Sequence, residues 1–252
     1  MQLLFLRNAT FLLEWDNKKI LVDPMLGPKG SMDPVANTAN PVRNPTADIT
    51  LSDIALQTML QDLDAVIVTH THRDHWDAAA QQMIPKDTTI ICQPEDADKI
   101  TAAGFTNVLP VVDSMKWQHF SIHRTGGQHG TGEIGKLMAP VSGFVIADGK
   151  QRLYIAGDTI WCDEVKEALD TYKPNHTVVN SGAARFLQGD PITMTANDVL
   201  EVINHPANTN VIAVHMEAIN HCPLTREDLA VAVAVAGKEC NIPDPGDWII
   251  LN

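Results

Sequence analysis

An α/β fold in two pseudo-duplicated halves is what this sequence predicts, and three observations carry it. Short apolar runs alternate with longer segments of helical period, the pattern of strands joined by helices. Each half places strands first and strand–helix units after them. No internal low-complexity tract or linker interrupts the 252 residues, so the reading is one domain over 1–252, with halves of roughly 1–125 and 126–252.

The elements follow in order. Leu3–Leu13 and Lys19–Val22 read as a hairpin turning at Asp16-Asn17. The stretch from Pro24 to Asp48 is rich in Pro, Asn and Gly and has no period, which suggests a lid or a surface excursion. Ile54–Leu63 has helical spacing, and Ala65–Val68 is a buried strand. Thr89–Cys92 and Asn107–Val112 are further strands. Pro94 opens a helix that runs through Ala103 and is stopped by Gly104. Gln118–Arg124 alternates as a strand. Ser142–Ala147 and Leu153–Ala156 flank the turn Asp148-Gly149. Asp163–Tyr172 is helical, and His176–Asn180, Asn210–Val214 and Trp248–Leu251 are strands. Thr195–Asn204 and Thr225–Gly237 both open with Thr and carry Asp three residues on, at capping-box spacing.

Composition narrows the function. Apolar residues are 44% and charged residues 19%, a globular balance. With 18 basic against 31 acidic side chains the net charge is −13, which argues against a nucleic-acid partner. No run approaches the ~18 apolar residues of a spanning helix, and the N-terminus lacks signal-peptide features. Cys92, Cys162, Cys222 and Cys240 are scattered without a pairing pattern, so a reducing cytoplasm is expected, with no membrane partner.

The strongest chemical signal is Thr69-His70-Thr71-His72-Arg73-Asp74-His75, directly after the strand Ala65–Val68. His70 and His72 are two apart, so in extended backbone they share a face. Asp74 and His75 follow where a helix can start. A tight strand-to-helix corner aims four ligand-type side chains into one cavity. Imidazole with carboxylate suits zinc, iron, manganese or nickel. Four such residues outweigh the alternative of a solvated polar loop.

His70-x-His72-x-Asp74-His75 resembles the signature of the metallo-β-lactamase-fold hydrolases. The remaining pieces come in that family's order: Gly126-Gly127-Gln128-His129-Gly130, then Tyr154-Ile155-Ala156-Gly157-Asp158-Thr159, then the strand Val211–Val214 and His215. Arg7-Asn8-Ala9-Thr10 and Leu21-Val22-Asp23-Pro24 resemble its opening strands. The resemblance implies a four-layer αββα sandwich and two metal sites. His70, His72 and His129 would hold the first ion, Asp74, His75 and His215 the second, with Asp158 between them. It implies two divalent ions, zinc foremost, with manganese, iron or nickel as alternatives. Such ions, about 3.5–4 Å apart, share a hydroxide that attacks the substrate. Asp74 can also orient that hydroxide.

The chain is too short for the domain inserted in the nucleases of this superfamily. It is most similar to a cytoplasmic branch that includes ascorbate-6-phosphate lactonase and phospholipase-D-like members. The expected activity is hydrolysis of a small ester, lactone or phosphoester, with a phosphodiesterase as runner-up. A non-catalytic metal-binding protein and a di-iron redox protein are the readings from other classes. Intact Asp74 and Asp158 argue against the first, and the lack of room for a flavin domain argues against the second.

Further candidates surround this set. His221 either lines the pocket and donates a proton or is a structural loop residue; His215, at a strand end, is favoured over it as the ligand. Trp76 and Trp161 each follow a metal motif closely and either wall the pocket or pack elsewhere. Arg185 is a candidate clamp for an anionic substrate group, against the commoner fate of a surface ion pair. Cys162 and Cys222 read as free thiols rather than ligands. The expected partner is a small molecule, with an anionic one and a homo-oligomer both left open.

Overall fold

The computed structural model describes residues 1–252 and confirms the sandwich. β1 (Gln2–Arg7), β2 (Thr10–Trp15) and β3 (Lys18–Val22) form an antiparallel meander. β4 (Ala65–Val68), β5 (Thr89–Cys92) and β6 (Asn107–Pro110) extend it in parallel. The second sheet repeats the plan. β7 (Ser114–Trp117), β8 (Phe120–Thr125), β9 (Gly143–Ala147) and β10 (Arg152–Ile155) are antiparallel. β11 (His176–Asn180) and β12 (Asn210–Val214) follow in parallel. β13 (Trp248–Ile250) returns to pair with β1. Apart from β13, the first sheet ends at Pro110 and the second begins at Ser114.

Strand periodicity builds the layers. Leu3 and Phe5 point between the sheets, where they meet Phe120, Phe144 and Ile155. Leu4 and Leu6 alternate to the outer face, against α1 (Asp53–Gln61), α2 (Ala78–Met83) and α3 (Pro94–Ala102). α4 (Gly132–Leu137) lies in the loop after β8. α5 (Asp163–Tyr172), α6 (Ala196–Asn204) and α7 (Arg226–Val235) cover the second sheet through Val165, Val199 and Leu229. Strands buried on both faces are apolar at nearly every position, which is why they read as continuous runs. Thr195 and Asp198 form the full capping box on α6, while Thr225 accepts from Asp228 N–H on α7. No helix is long and apolar enough to cross a membrane.

Three local readings change. Leu3–Leu13 is two strands, because Asn8 adopts a left-handed φ of 54° and turns the chain. Gln118, at φ 54°, likewise turns β7 into β8, and β7 is too short and exposed to show a period. The helix after Asp74 starts only at Ala78, where Asp77 accepts from Ala80 N–H as its cap.

The excursion from Pro24 to Asp48 is ordered. The buried Arg7 guanidinium donates to the carbonyls of Met25, Gly27 and Ala47. Burial lowers its pKa to about 10, so it is still cationic at neutral pH. Asn220 pins the far end through Asn44 and the Val35 N–H.

Candidate metal centre

All seven proposed ligands converge at one edge of the sandwich. They follow the C-terminal ends of strands: His70 after β4, His129 after β8, Asp158 after β10 and His215 after β12. Loops beyond strand ends carry side chains into a shared crevice, and in open α/β sheets that is where ligands bind. After His70 the chain tightens into a turn, with the N–H groups of His75 and Trp76 both donating to the His72 carbonyl at 2.9 Å. This turn brings Asp74 and His75 back toward the strand end.

Two clusters result: His70, His72 and His129; and Asp74, His75, Asp158 and His215. In each, one donor atom per residue lies within 4.8 Å of all the others. His70 Nε2 is 2.9 Å from His72 Nδ1. His75 Nε2 is 3.2 Å from His215 Nε2, and His215 Nε2 is 3.3 Å from Asp74 Oδ2. Asp158 lies between the clusters. Its Oδ2 is 3.3 Å from His75 Nε2, 3.6 Å from His129 Nε2 and 3.9 Å from His70 Nε2. Two donors at ~2.05 Å on a tetrahedral ion sit roughly 3.3 Å apart, so these spacings fit ligand pairs sharing a metal.

The outer nitrogens explain why a cation is called for. His75 Nδ1 is 2.8 Å from Asp23 Oδ2, and His129 Nδ1 is 2.8 Å from the Ile192 carbonyl. A carboxylate and a backbone carbonyl only accept hydrogen bonds, so both Nδ1 atoms donate. Thr69 donates its hydroxyl to Asp23 and so accepts from His70 Nδ1 at 3.1 Å. In their neutral forms three imidazoles therefore aim bare Nε2 lone pairs inward, an arrangement that a metal ion satisfies. Asn180 donates to Asp158 Oδ1 at 2.7 Å and orients that carboxylate.

Charge agrees with this. Burial disfavours the ionised carboxylates of Asp74 and Asp158, yet His75 and His215 outweigh it and hold both well below the usual range. Burial also works against charge on His75, but Asp158, Asp74 and Asp23 raise its pKa to about 10. His215 is raised for the same kind of reason, whereas burial beside His75 holds His70 well below its ordinary value. The second cluster thus demands positive charge, while in the first burial favours the neutral, ligating forms of His70 and His72.

Backbone strain helps to place the candidate ligands. His215 adopts a φ of 70°, rare for a residue with a Cβ, and its N–H donates to the Asn8 carbonyl at 2.8 Å. Asn8 also donates its amide to the Asp74 carbonyl at 3.0 Å. Gly157 has a φ of 70°, and a Cβ there would press on the Ser142 carbonyl, so glycine is required next to Asp158.

The remaining candidates are sorted differently. His221 is not in either cluster; it walls a cavity of about 450 Å³ above them. Burial lowers its pKa to about 4, so its ring is neutral at pH 7, and its buried Nδ1 has no partner. Trp76 is not a pocket wall: its apolar ring is packed under the first sheet against Phe105, centroids 5.2 Å apart. Trp161 is not one either, lying with the helices of the second sheet beside His205 and Lys166. Arg185 is exposed and outside the cavity; only its backbone N–H serves the site, donating to the His221 carbonyl at 2.9 Å. The cavity walls are instead Val35 and Ala36 from the Pro24–Asp48 excursion, with Met138, Phe186, Ile192 and the exposed Arg73.

Sequence reasoning missed Asp23, Asn180 and the double role of Asn8. Asp23 had a usable signal, because an acid ending the apolar strand Ile20-Leu21-Val22 must be partnered when buried.

Paired His/Asp clusters at the strand ends of an αββα sandwich define a metal-dependent hydrolase of the metallo-β-lactamase fold. The chain belongs to the β-lactamase superfamily, whose domain model matches residues 18–216. It is similar to UPF0173 protein YddR of Bacillus subtilis (strain 168), 36% identical over 246 residues and 96% of each chain. Among solved structures it is similar to a possible metal-dependent hydrolase from Veillonella parvula DSM 2008, with TM-score 0.94 and 32% identity, covering 99% of this chain and 98% of that one. It is also similar to an isothiocyanate hydrolase from Delia radicum gut bacteria, with TM-score 0.93 and 37% identity over 99% of both chains.

Proposed function

We propose that this hydrolase acts on small, uncharged carbon electrophiles bearing an apolar substituent, isothiocyanates foremost. The observation that carries the reading is the cavity itself. Its floor is His72, Asp74, His129 and Asp158 from the two clusters, and its upper wall is Val35, Met138, Phe186 and Ile192. Apart from the histidines, the one cationic lining side chain is Arg73, which is exposed and offers no buried clamp for a phosphoryl group. Likeness to the isothiocyanate hydrolase supports the same choice.

In this reading His70, His72 and His129 would hold one zinc ion and Asp74, His75, His215 and Asp158 a second; the imidazole-rich donor set favours zinc over harder ions. Such ions supply an ionised water at neutral pH and polarise the electrophile. Asp74, with a side chain 13% exposed, orients the attacking water through its free oxygen. His221, neutral and unpartnered, donates a hydrogen bond to the heteroatom on which charge develops. For an isothiocyanate, water adds to the central carbon, the nitrogen takes a proton and the C–N bond breaks. R–NCS and H2O become R–NH2 and COS. Cytoplasmic metal-loaded protein acting on free small molecules is the setting proposed.

The test assays zinc-loaded protein on benzyl isothiocyanate, a carboxylic ester, a lactone and a phosphodiester. The isothiocyanate is expected to give the highest kcat/KM. Cleavage of the phosphodiester with an inert isothiocyanate would sink the reading, and a preference for ester or lactone would move it to the carbonyl class.

A further inference from the structure

We infer that a second, outer groove continuous with the catalytic cavity binds the apolar tail of the substrate and sets its length preference. This rests on the reading of the cavity as a site for apolar-tailed electrophiles. The groove encloses about 480 Å³ and is lined by Asn37, Ile134, Leu137, Met138, Phe186 and Leu187, with Gln188 at its rim. Met138 and Phe186 also line the catalytic cavity, so the two spaces share a wall. Phe186 marks the junction, its ring centroid 6.2 Å from that of His221.

Two features make this a built groove rather than a loose surface. Its walls are tied together across three segments: Leu187 N–H donates to the Asn37 carbonyl at 2.7 Å, and Thr131 at the start of α4 donates to Asp190 at 3.1 Å. Gly189, at a φ of 94°, lets the loop approach Ile134 so closely that a Cβ would collide with it. The groove also leaves large apolar side chains in water, with Leu137 80% and Leu187 69% exposed. Exposed leucines lining a groove that shares Met138 and Phe186 with the catalytic cavity mark an apolar ligand site. An alkyl or arylalkyl tail leaving the metal floor past Phe186 covers both.

The experiment measures kcat/KM of the zinc-loaded full chain for n-alkyl isothiocyanates from methyl to hexyl. The wild type should gain roughly fourfold per buried methylene. In the double variant Leu137→Ser/Leu187→Ser the hexyl-to-methyl ratio should fall at least tenfold, and in Leu187→Ser alone by a smaller factor. A flat wild-type series, or an unchanged ratio in the double variant, overturns the inference. A double variant that turns a dimer into a monomer with the ratio unchanged also overturns it, since the occupant is then a second copy. Alkyl hydroxamates from acetyl to octanoyl, whose head group chelates metal, give a readout independent of turnover. If no isothiocyanate is cleaved but hydroxamate affinity climbs with chain length and the double variant abolishes the climb, the substrate reading fails and the groove stands. If hydroxamate affinity is independent of length, the groove fails.

Discussion

Asp23→Asn isolates the contribution of the outer shell. Asp23 is buried, at 1% exposure, and its carboxylate accepts three hydrogen bonds. Thr69 N–H reaches Oδ1 at 2.7 Å, and Thr69 Oγ1 and His75 Nδ1 reach Oδ2 at 2.7 and 2.8 Å. Asparagine preserves shape but replaces one acceptor oxygen with an NH2 donor. With Nδ2 at the Oδ2 position, His75 must accept at Nδ1, and its single proton moves to Nε2. The inward lone pair is then lost from the second cluster. Outer-shell replacements typically weaken metal binding 10–100-fold, about 1.4–2.7 kcal/mol. The assay is zinc affinity by chelator competition, with bound zinc counted per chain. Asp23→Asn should lose the more weakly held equivalent first and keep the one at His70, His72 and His129. Unchanged affinity at both positions would refute the tautomer reasoning, because His75 would then ligate whichever way its outer nitrogen pointed.

Other expectations follow from the same geometry. His70→Ala and Asp158→Ala should each reduce bound metal and lower kcat/KM by at least 10²-fold; retention of full metal content and activity counts against the ligand assignment. Asn8→Ala puts a residue less tolerant of the left-handed region than Asn at φ 54° and deletes the bond to the Asp74 carbonyl, so it should cost about 2 kcal/mol in urea unfolding, whereas Asn8→Gly relieves the strain and costs about 1. For the metal-free protein, His75 is raised to about 10 from 6.5, so its contribution is fully present below pH 6.5 and lost as pH rises toward 10. Metal-free Tm should therefore fall across that window, while zinc affinity rises because protons no longer compete. Phe144→Ala, between the sheets, should cost 3–5 kcal/mol on the usual scale of emptied core positions, with m unchanged.

The fold and the candidate ligand clusters were legible because each obeys a short-range rule. Strands buried on both faces write themselves as apolar runs, as in Ala65–Val68, and helix starts announce themselves through Thr195 and Thr225. His70 to His75 were legible because four ligand types fall within six residues. The pocket walls were not. Trp76 and Trp161 adjoin ligands in sequence, but neighbours on a tight turn point to opposite sides, and both rings found apolar layers of helix and sheet. Val35, Met138 and Phe186 come from three separate segments that meet only once both sheets have stacked. Their apolar side chains carry no local mark that separates a pocket wall from core.

Asn8 shows why one such misreading is informative. As a strand residue it would continue Leu3–Leu13, and the apolar pattern on either side favours that. The chain turns there instead, at the cost of a left-handed residue, and the turn serves both halves. Its amide holds the carbonyl of Asp74, from the first half, and its carbonyl holds the N–H of His215, from the second. Asp74 Oδ2 and His215 Nε2 end 3.3 Å apart as a result. Neither half can form the second cluster alone, since its ligands come from loops after β4, β10 and β12. A break in local consistency is tolerated where it fixes a functional distance, and here the break is what brings the ligands of the two halves into register.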